Sequence, residues 1–495
     1  VKVSTQDSKR DVIPRWRSFD KTVELKEVVN IASLAPPRSV NTQIFQTRMQ
    51  EWERNKTVPF AGDLLSTAFV LGKGNEVKDV AQFVVDSDAP HSGKSLALRI
   101  LGVDLPKVTF GVDDDKLRAW IRFTRDRIRL YPRDAFSWVD LALGYSSLGQ
   151  KEKASKAIWS ALQLAPDDRF VLRAAARFFT HIDDCRTAHN ILKGSQRTKQ
   201  DPWLIAAEIA TARACDRSPK FFKFGCEMIK SRSFQPYDLS ELATSVGMVE
   251  LSNNRIKRVK DYLKVALINP TENTIAQAHW AVRHEDKLRL DEHNLNPALS
   301  FEAGALLNFR EGDWNSAIAH AEKWRADQPF SNRPAILATY IANGPLDDAK
   351  RGCDIAKESL KANPDNPYIL NNIAIAFARQ GNVKEAQKYY NRIKIDPDDE
   401  KRQIIHTATQ GLILYRSGQH EAGFRKYAKA ILLAQRIGNH ELIARARITE
   451  LRERFETGYP VTIEEINSIK PDVDKADLID VDTIYDNLLK AQSKE

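Results

Sequence analysis

Three places in the chain carry residues whose types and spacing could do chemistry. The first is Ser92-Gly93-Lys94-Ser95, a GKS triplet at an expected helix start. A phosphate-cradling loop needs a second glycine upstream, so that backbone amides can curl round the anion. Asp88 stands in that place, and a carboxylate repels phosphate. The triplet reads instead as a helix start capped by Ser92. The second place is the cluster His279, His284, Glu285, Asp286, Asp291, Glu292 and His293. A zinc-protease helix sets its histidines one turn apart as HExxH. His279 and His284 are five residues apart and face differently, and Lys287 and Arg289 sit among the acids. This reads as a solvated connection, and no metal or cofactor is expected. The third is the set Cys185, Cys215, Cys226 and Cys353, whose spacings fit neither a CxxC pair nor a compact disulfide framework. A reducing compartment, the cytoplasm, is the expectation. No nucleophile elbow and no evident Cys–His pairing stands out, so no catalytic residue is expected.

Basic stripes carry a different chemistry. Arg118, Arg122, Arg125 and Arg129 recur at intervals of four, three and four beside an apolar stripe of Leu117, Ile121, Thr124 and Ile128. Arg255, Lys257, Arg258, Lys260 and Lys264 form a second patch, and Arg445, Arg447, Arg452 and Arg454 a third. Such faces attract phosphate chains or acidic proteins, and they also occur as plain solvated surfaces. Arg118, Arg122, Arg125, Arg129, Arg255 and Arg258 are the anion-binding candidates.

Charge is unevenly placed. The net charge of the 495 residues is +9. From Gly458 onward there are nine Asp/Glu and four Lys/Arg, a net of −5, which leaves +14 for the rest. A basic body with an acidic tail suggests an anionic partner, or a tail that folds back on its own body as a mimic of that partner. No run of about 18 apolar residues exists to span a membrane. The N-terminal stretch lacks the apolar region of a secretory signal.

The elements that must position these residues are helices, and they repeat. The clearest unit spans 134–168. Trp138, Leu141, Ala142 and Tyr145 share one helical face, a turn follows at Leu148-Gly149-Gln150, Ala154, Ile158 and Ala161 mark a second helix, and Pro166 ends it. Small Ala142 and Ala154 let two helices approach, and proline stops the second. Phe301, Gly304, Ala305, Ala317, Ala321 and Pro329 give another unit. Leu370, Ile373, Ala374, Phe377, Ala386, Tyr390 and Pro397 give a third, and Gly411, Leu414, Gly423, Tyr427 and Ala430 a fourth. Leu172, Ala176, Phe179, Ala188 and Leu192 make a degenerate one. Helix pairs with weak markers are expected at 203–230, 237–268 and 334–362, and single helices at 41–54, 58–72, 76–86, 92–102 and 114–131. No alternating apolar run is long enough for a sheet.

This pattern resembles the tetratricopeptide repeat family, W-x2-L-G-x2-Y…A-x3-F…A…P. The first unit matches the markers in type, strong markers cover about a third of the chain, and helix-pair periodicity covers most of it. The resemblance implies an all-α, right-handed superhelical solenoid of antiparallel helix pairs with a concave binding surface. The expected organisation is an extended or partly ordered segment at 1–40, an array at 41–284, a second array at 298–457, and an acidic tail at 458–495 with a short helix near 478–491.

The resemblance also implies which residues face the groove. Arg310, Arg379 and Arg416 occupy the same position in three units. Phe309 and Tyr415 precede two of them, and Tyr368 and Phe136 face the groove from earlier turns. An aromatic beside an arginine is a common interface anchor, although arginine near a helix C-terminus also complements the helix dipole. The chaperone-carboxylate clamp known in part of the family is not expected, because Val139, Leu143, Asn371 and Ile375 stand at the corresponding positions. The expected function is a protein-binding scaffold or adaptor, not an enzyme, that holds another protein or peptide in the groove. The alternative is a nucleic-acid-binding (RNA) helical-repeat protein using the basic faces.

Overall fold

The computed structural model describes residues 42–70, 73–88, 91–103, 114–130, 134–231, 233–285, 288 and 300–493. The expectation for 1–40 lies outside these. Every regular element among the described residues is helical. The earlier helices are α1 (Thr42–Arg54), α2 (Val58–Val70), α3 (Lys78–Asp86), α4 (His91–Ile100) and α5 (Asp114–Leu130). Four pairs follow: α6 (Ala135–Ser147) with α7 (Lys151–Leu164), α8 (Arg169–His181) with α9 (Cys185–Gly194), α10 (Pro202–Ala214) with α11 (Phe222–Ser231), and α12 (Pro236–Ser252) with α13 (Ile256–Ala266). α14 (Glu272–His284) closes this series. The second series contains α15 (Phe301–Glu311), α16 (Trp314–Asp327), α17 (Asn332–Asn343), α18 (Ala349–Ala362), α19 (Pro367–Arg379), α20 (Val383–Tyr390), α21 (Glu400–Arg416), α22 (His420–Arg436) and α23 (His440–Glu456). It ends with α24 (Ile463–Ser468), α25 (Lys470–Ala476) and α26 (Ile479–Gln492).

The chain divides into two compact units near Ala303, with Ala326–Gln328 grouped with the first. Within each, consecutive helices pack as antiparallel, tetratricopeptide-like pairs.

One turn geometry recurs between the two helices of a pair. A residue with positive φ sits one or two residues past the first helix: Gly149, Gly312, Gly381 and Gly418 in the units with strong markers, and Asp183, Asp216 and Asn254 in others, whereas after α17 the positive-φ residue, Asp347, comes four residues on. The amide of the following residue then reaches back to a carbonyl in the last turn. Gln150 N–H donates to Tyr145 O at 2.9 Å, Asp184 to Phe179 at 2.8 Å, and Asn382 to Phe377 at 2.9 Å. This satisfies carbonyls that the helix end would otherwise leave orphaned. Glycine adopts the left-handed conformation freely, whereas Asp and Asn adopt it at modest cost. The weakly marked repeats therefore keep the turn and lose only its sequence signature.

The starts are equally regular. Asp134, Asp168, Asp184, Asp201, Asp348, Asn366, Asn382, Asp399 and Asn439 cap helices by accepting from amides of the first turn. α4 begins at His91, so Ser92 lies inside the first turn and does not precede it as a cap.

Apolar faces then stack. Ile369, Leu370, Ile373, Ala374, Leu412, Ile413 and Tyr427 share one core in the second unit. Side chains of this size contribute about 1.5–3 kcal/mol each on full burial. α21 and α22 cross where Gly411 meets Gly423, and a Cβ on Gly423 would stand 3.0 Å from the Gly411 carbonyl. In the first unit a buried charge cluster joins α2 to the start of α10. Arg197, 3% exposed, pairs with Asp63 and lies 3.7 Å from Asp201, while Arg169 reaches Asp201 at 2.7 Å. Asp168, the cap of α8, is buried beside them. Burial first, and then the neighbouring Asp63, push its carboxyl up to about 6 against the pull of Arg197.

The acidic segment folds more fully than a tail with one helix. Val461, Ile466, Ile469, Val473, Val481, Ile484, Tyr485 and Leu488 join Ala444, Ile448 and Leu451 of α23 in one core. α24 opens with a capping box between Thr462 and Glu465, and α25 carries Pro471 in its first turn.

Candidate partner-binding face

The residues expected to face a groove are mostly inside. Phe136 is 1% exposed, fills the space left by Gly62, and meets the Phe170 ring at 5.7 Å. Phe309, 3% exposed, is held between Trp314 at 5.2 Å and Tyr340 at 6.2 Å. Tyr415 is buried and donates to the Glu450 carboxylate at 2.8 Å. Burial and that carboxylate raise its phenol well above the ordinary range. Phe309 and Tyr415 lie near the end of a first helix and Phe136 at the start of one, and each is covered by neighbouring helices, so it supplies packing and offers a partner no surface. Tyr368 is half-buried beneath the Arg402 guanidinium at 5.2 Å.

Two of the three aligned arginines are internal locks. Arg379 pairs with Asp347 and reaches Glu456 at 2.8 Å and Glu453 at 3.8 Å. Arg416 reaches Glu453 at 2.5 Å and also pairs with Glu456. Arg452 lies 3.6 Å from Glu453 and 3.9 Å from Glu456. Three guanidinium groups thus meet three carboxylates. Burial opposes the charge of Arg379 and Arg416, yet the acids outweigh it and hold both above the usual arginine range. Arg310 is exposed and has no ion pair among the described residues.

The anion candidates divide. Arg118, Arg122, Arg125 and Arg129 all lie on the exposed side of α5. Arg118 pairs with Asp114 at 3.5 Å and Arg129 with Asp126 at 3.0 Å, while Arg122 and Arg125 have no acidic partner among the described residues. Arg255 and Arg258 share buried Glu250 at 3.2 and 3.3 Å. The third basic patch is consumed by the acidic segment, since Arg445 pairs with Asp480, Arg447 with Asp472 at 2.5 Å, and Arg454 with Glu465 at 3.0 Å.

Asp480 marks the site that the residue pattern did not single out. It stands in the first turn of α26, its side chain 1% exposed, and it accepts from the Tyr340 hydroxyl and the Arg445 guanidinium. Burial opposes its ionisation, but Arg445 and the two hydrogen bonds hold the carboxyl below its ordinary value. Burial also pushes the Tyr340 phenol up, so it remains a hydrogen-bond donor. The neighbouring apolar side chains bind the same face. Ile479 Cδ1 lies 3.1 Å from where a Cβ on Gly312 would stand, and Ile484 Cδ1 lies 3.8 Å from the same point on Gly344. α26 thus touches the turn after α15, the end of α17 and the middle of α23, three places from three different pairs. A buried Asp between apolar Ile479, Val481 and Ile484 was the available signal, since a charge in an apolar stripe needs a partner.

Among the described residues no group of three or more His, Cys, Asp or Glu side chains could hold a metal ion, and most of the 279–293 cluster lies outside the described side chains. No described helix is long and apolar enough to cross a membrane.

No family model matches the chain, and no curated protein matches it. Solved structures match in outline. Human IFIT1, as a dimer with PPP-AAAA, aligns at 14% identity over 77% of this chain and 96% of that one, with a TM-score of 0.38. A chain of the APC/C hetero-tetramer Cut9-Hcn1 aligns at 12% identity over 90% and 92%, with a TM-score of 0.32. Yeast Tom70 aligns at 15% identity over 91% and 96%, with a TM-score of 0.31.

Proposed function

We propose that this helical-repeat chain is a protein-binding scaffold, not an enzyme. Its C-terminal unit takes an acidic amphipathic segment of a partner on the face that α26 now covers. The observation that carries the reading is the seating of Asp480 on Tyr340 and Arg445, with Ile479 and Ile484 beside the small Gly312 and Gly344. One carboxylate held by two donors gives register, and two apolar contacts at five-residue separation give area. Together they suit a helix with an acid in its first turn. Because the chain's own segment occupies this face, a partner would bind by displacing it, and its apparent affinity would be reduced by the fraction of chains in which α26 is released.

Tagged wild-type chain and the Asp480→Arg variant, in nuclease-treated native lysate, test this. Placing a cation against Arg445 should release α26. A defined protein captured more strongly by the variant, and competed by a peptide of residues 477–493, supports the reading. Equal capture by both chains, or capture that the peptide does not compete, contradicts it.

A further inference from the structure

We propose that the outer face of the first unit is a binding track for single-stranded nucleic acid, an activity separate from the protein-binding face of the second unit. α7, α9 and α11 each pack on their own first helix and on the first helix of the next pair, and α13 packs on α12. This sets the second helices together along one side of the stack. Their charge is one-sided. α7, α9, α11 and α13 carry eleven Lys/Arg against three Asp/Glu, whereas the first helices α6, α8, α10 and α12 carry four against five. Composition of this kind on one face only is the footprint of a polyanion.

The cations are available. Lys156, Arg186, Lys193, Lys223, Lys230 and Lys264 are all exposed, and none has an ion pair among the described residues. By contrast, Arg379, Arg416 and Arg445 of the second unit are each neutralised in place by acids. Aromatic rings stand among these free cations. Trp159 is 44% exposed one turn from Lys156, and Phe224 is 49% exposed beside Lys223. Each is held at its base by a second ring, Trp159 by Phe179 at 5.3 Å and Phe224 by Phe221 at 6.4 Å, which leaves the outer part of the ring in solvent. Trp159 on α7 and Phe224 on α11 thus offer ring faces among lysines on two of the four outer helices. Unpaired bases fit this arrangement, because every base has a face to stack while its phosphates meet lysine. A duplex hides its bases.

Fluorescence anisotropy of the full chain with labelled oligo(rU), oligo(dT) and a duplex provides the test, with polyglutamate as competitor. Either single strand should bind more tightly than the duplex, and the preference between rU and dT assigns the source. Replacing Lys156, Lys193, Lys223 and Lys264 together by Gln should weaken binding about tenfold or more and reduce the slope of log affinity against log salt by about 3, at roughly 0.7 per phosphate contact. Trp159→Ala with Phe224→Ala should weaken binding several-fold and leave the salt slope unchanged. No binding, wild-type binding by the lysine variant, or displacement by polyglutamate as effective as by unlabelled oligo(rU) overturns the proposal. That last result would assign the face to an acidic protein.

Discussion

Arg445 closes on the carboxylate of Asp480, 35 residues further along the chain, and the Tyr340 hydroxyl joins them from 105 residues before Arg445. This contact fixes the first turn of α26. Asp480→Asn should remove about 2–3 kcal/mol from its docking, because one charge of a buried pair is left uncompensated. Hydrogen exchange should show faster exchange in 479–492 with little change in the first unit. The folded carboxyl lies below its ordinary value of 3.8, so its contribution is present above about pH 4 and is lost as pH falls through the lower folded value.

Asp168 behaves oppositely. Its carboxyl is raised from 3.8 to about 6 in the folded chain, so the unfolded chain binds fewer protons between those values. Stability should fall as pH rises from about 4 to about 6, and level off above. Asn at 168 keeps the capping acceptor and removes the charge. Asp168→Asn should flatten this part of the profile and stabilise the first unit at neutral pH by up to about 3 kcal/mol, measured by denaturant melts across pH.

The turns give a paired test of backbone conformation. Gly381 has φ +78 and nothing within 4 Å of a Cβ built on it, so Gly381→Ala should cost about 1 kcal/mol through strain alone. Asn254 has φ 56, and Asn254→Gly should be neutral or stabilising by a few tenths of a kcal/mol. Thermal melts of the two variants should move in different directions, or the second not at all.

Close helix approach is a separate constraint. A Cβ on Gly411 would stand 2.7 Å from Tyr427 Cδ2 and 3.1 Å from the Gly423 carbonyl. Gly411→Ala should destabilise the second unit by about 1–3 kcal/mol, because α21 and α22 must part or Tyr427 must leave its place. A denaturant melt at wild-type midpoint would contradict this.

Helix placement was legible because the apolar period and the turns are local. Expected segments 41–54, 58–72 and 114–131 appear as 42–54, 58–70 and 114–130, and the pairs at 203–230, 237–268 and 334–362 are present. In the weak repeat around Asp183, Asp stands in place of Gly at the same turn, which hides the turn's signature. The face itself was less legible. Whether Phe309 or Tyr415 meets solvent depends on the pair that stacks next, and whether Arg379 is free depends on acids as far away as Glu456. Neither follows from position within a repeat. Net charge alone made 458–495 read as a tail. Its apolar residues are split over helices of six, seven and fourteen residues, and the two shorter ones give little periodicity to read.

The most direct test of the partner-binding face is titration of a fluorescein-labelled peptide of residues 477–493 into full-length wild type, Asp480→Arg, and Asp480→Arg with Arg445→Glu. Saturable binding to Asp480→Arg, weaker binding to wild type whose face is filled, and loss of binding when Arg445 is also replaced is the expected result. No binding to Asp480→Arg, or equal binding to all three chains, would contradict the assignment of this face to an acidic amphipathic partner.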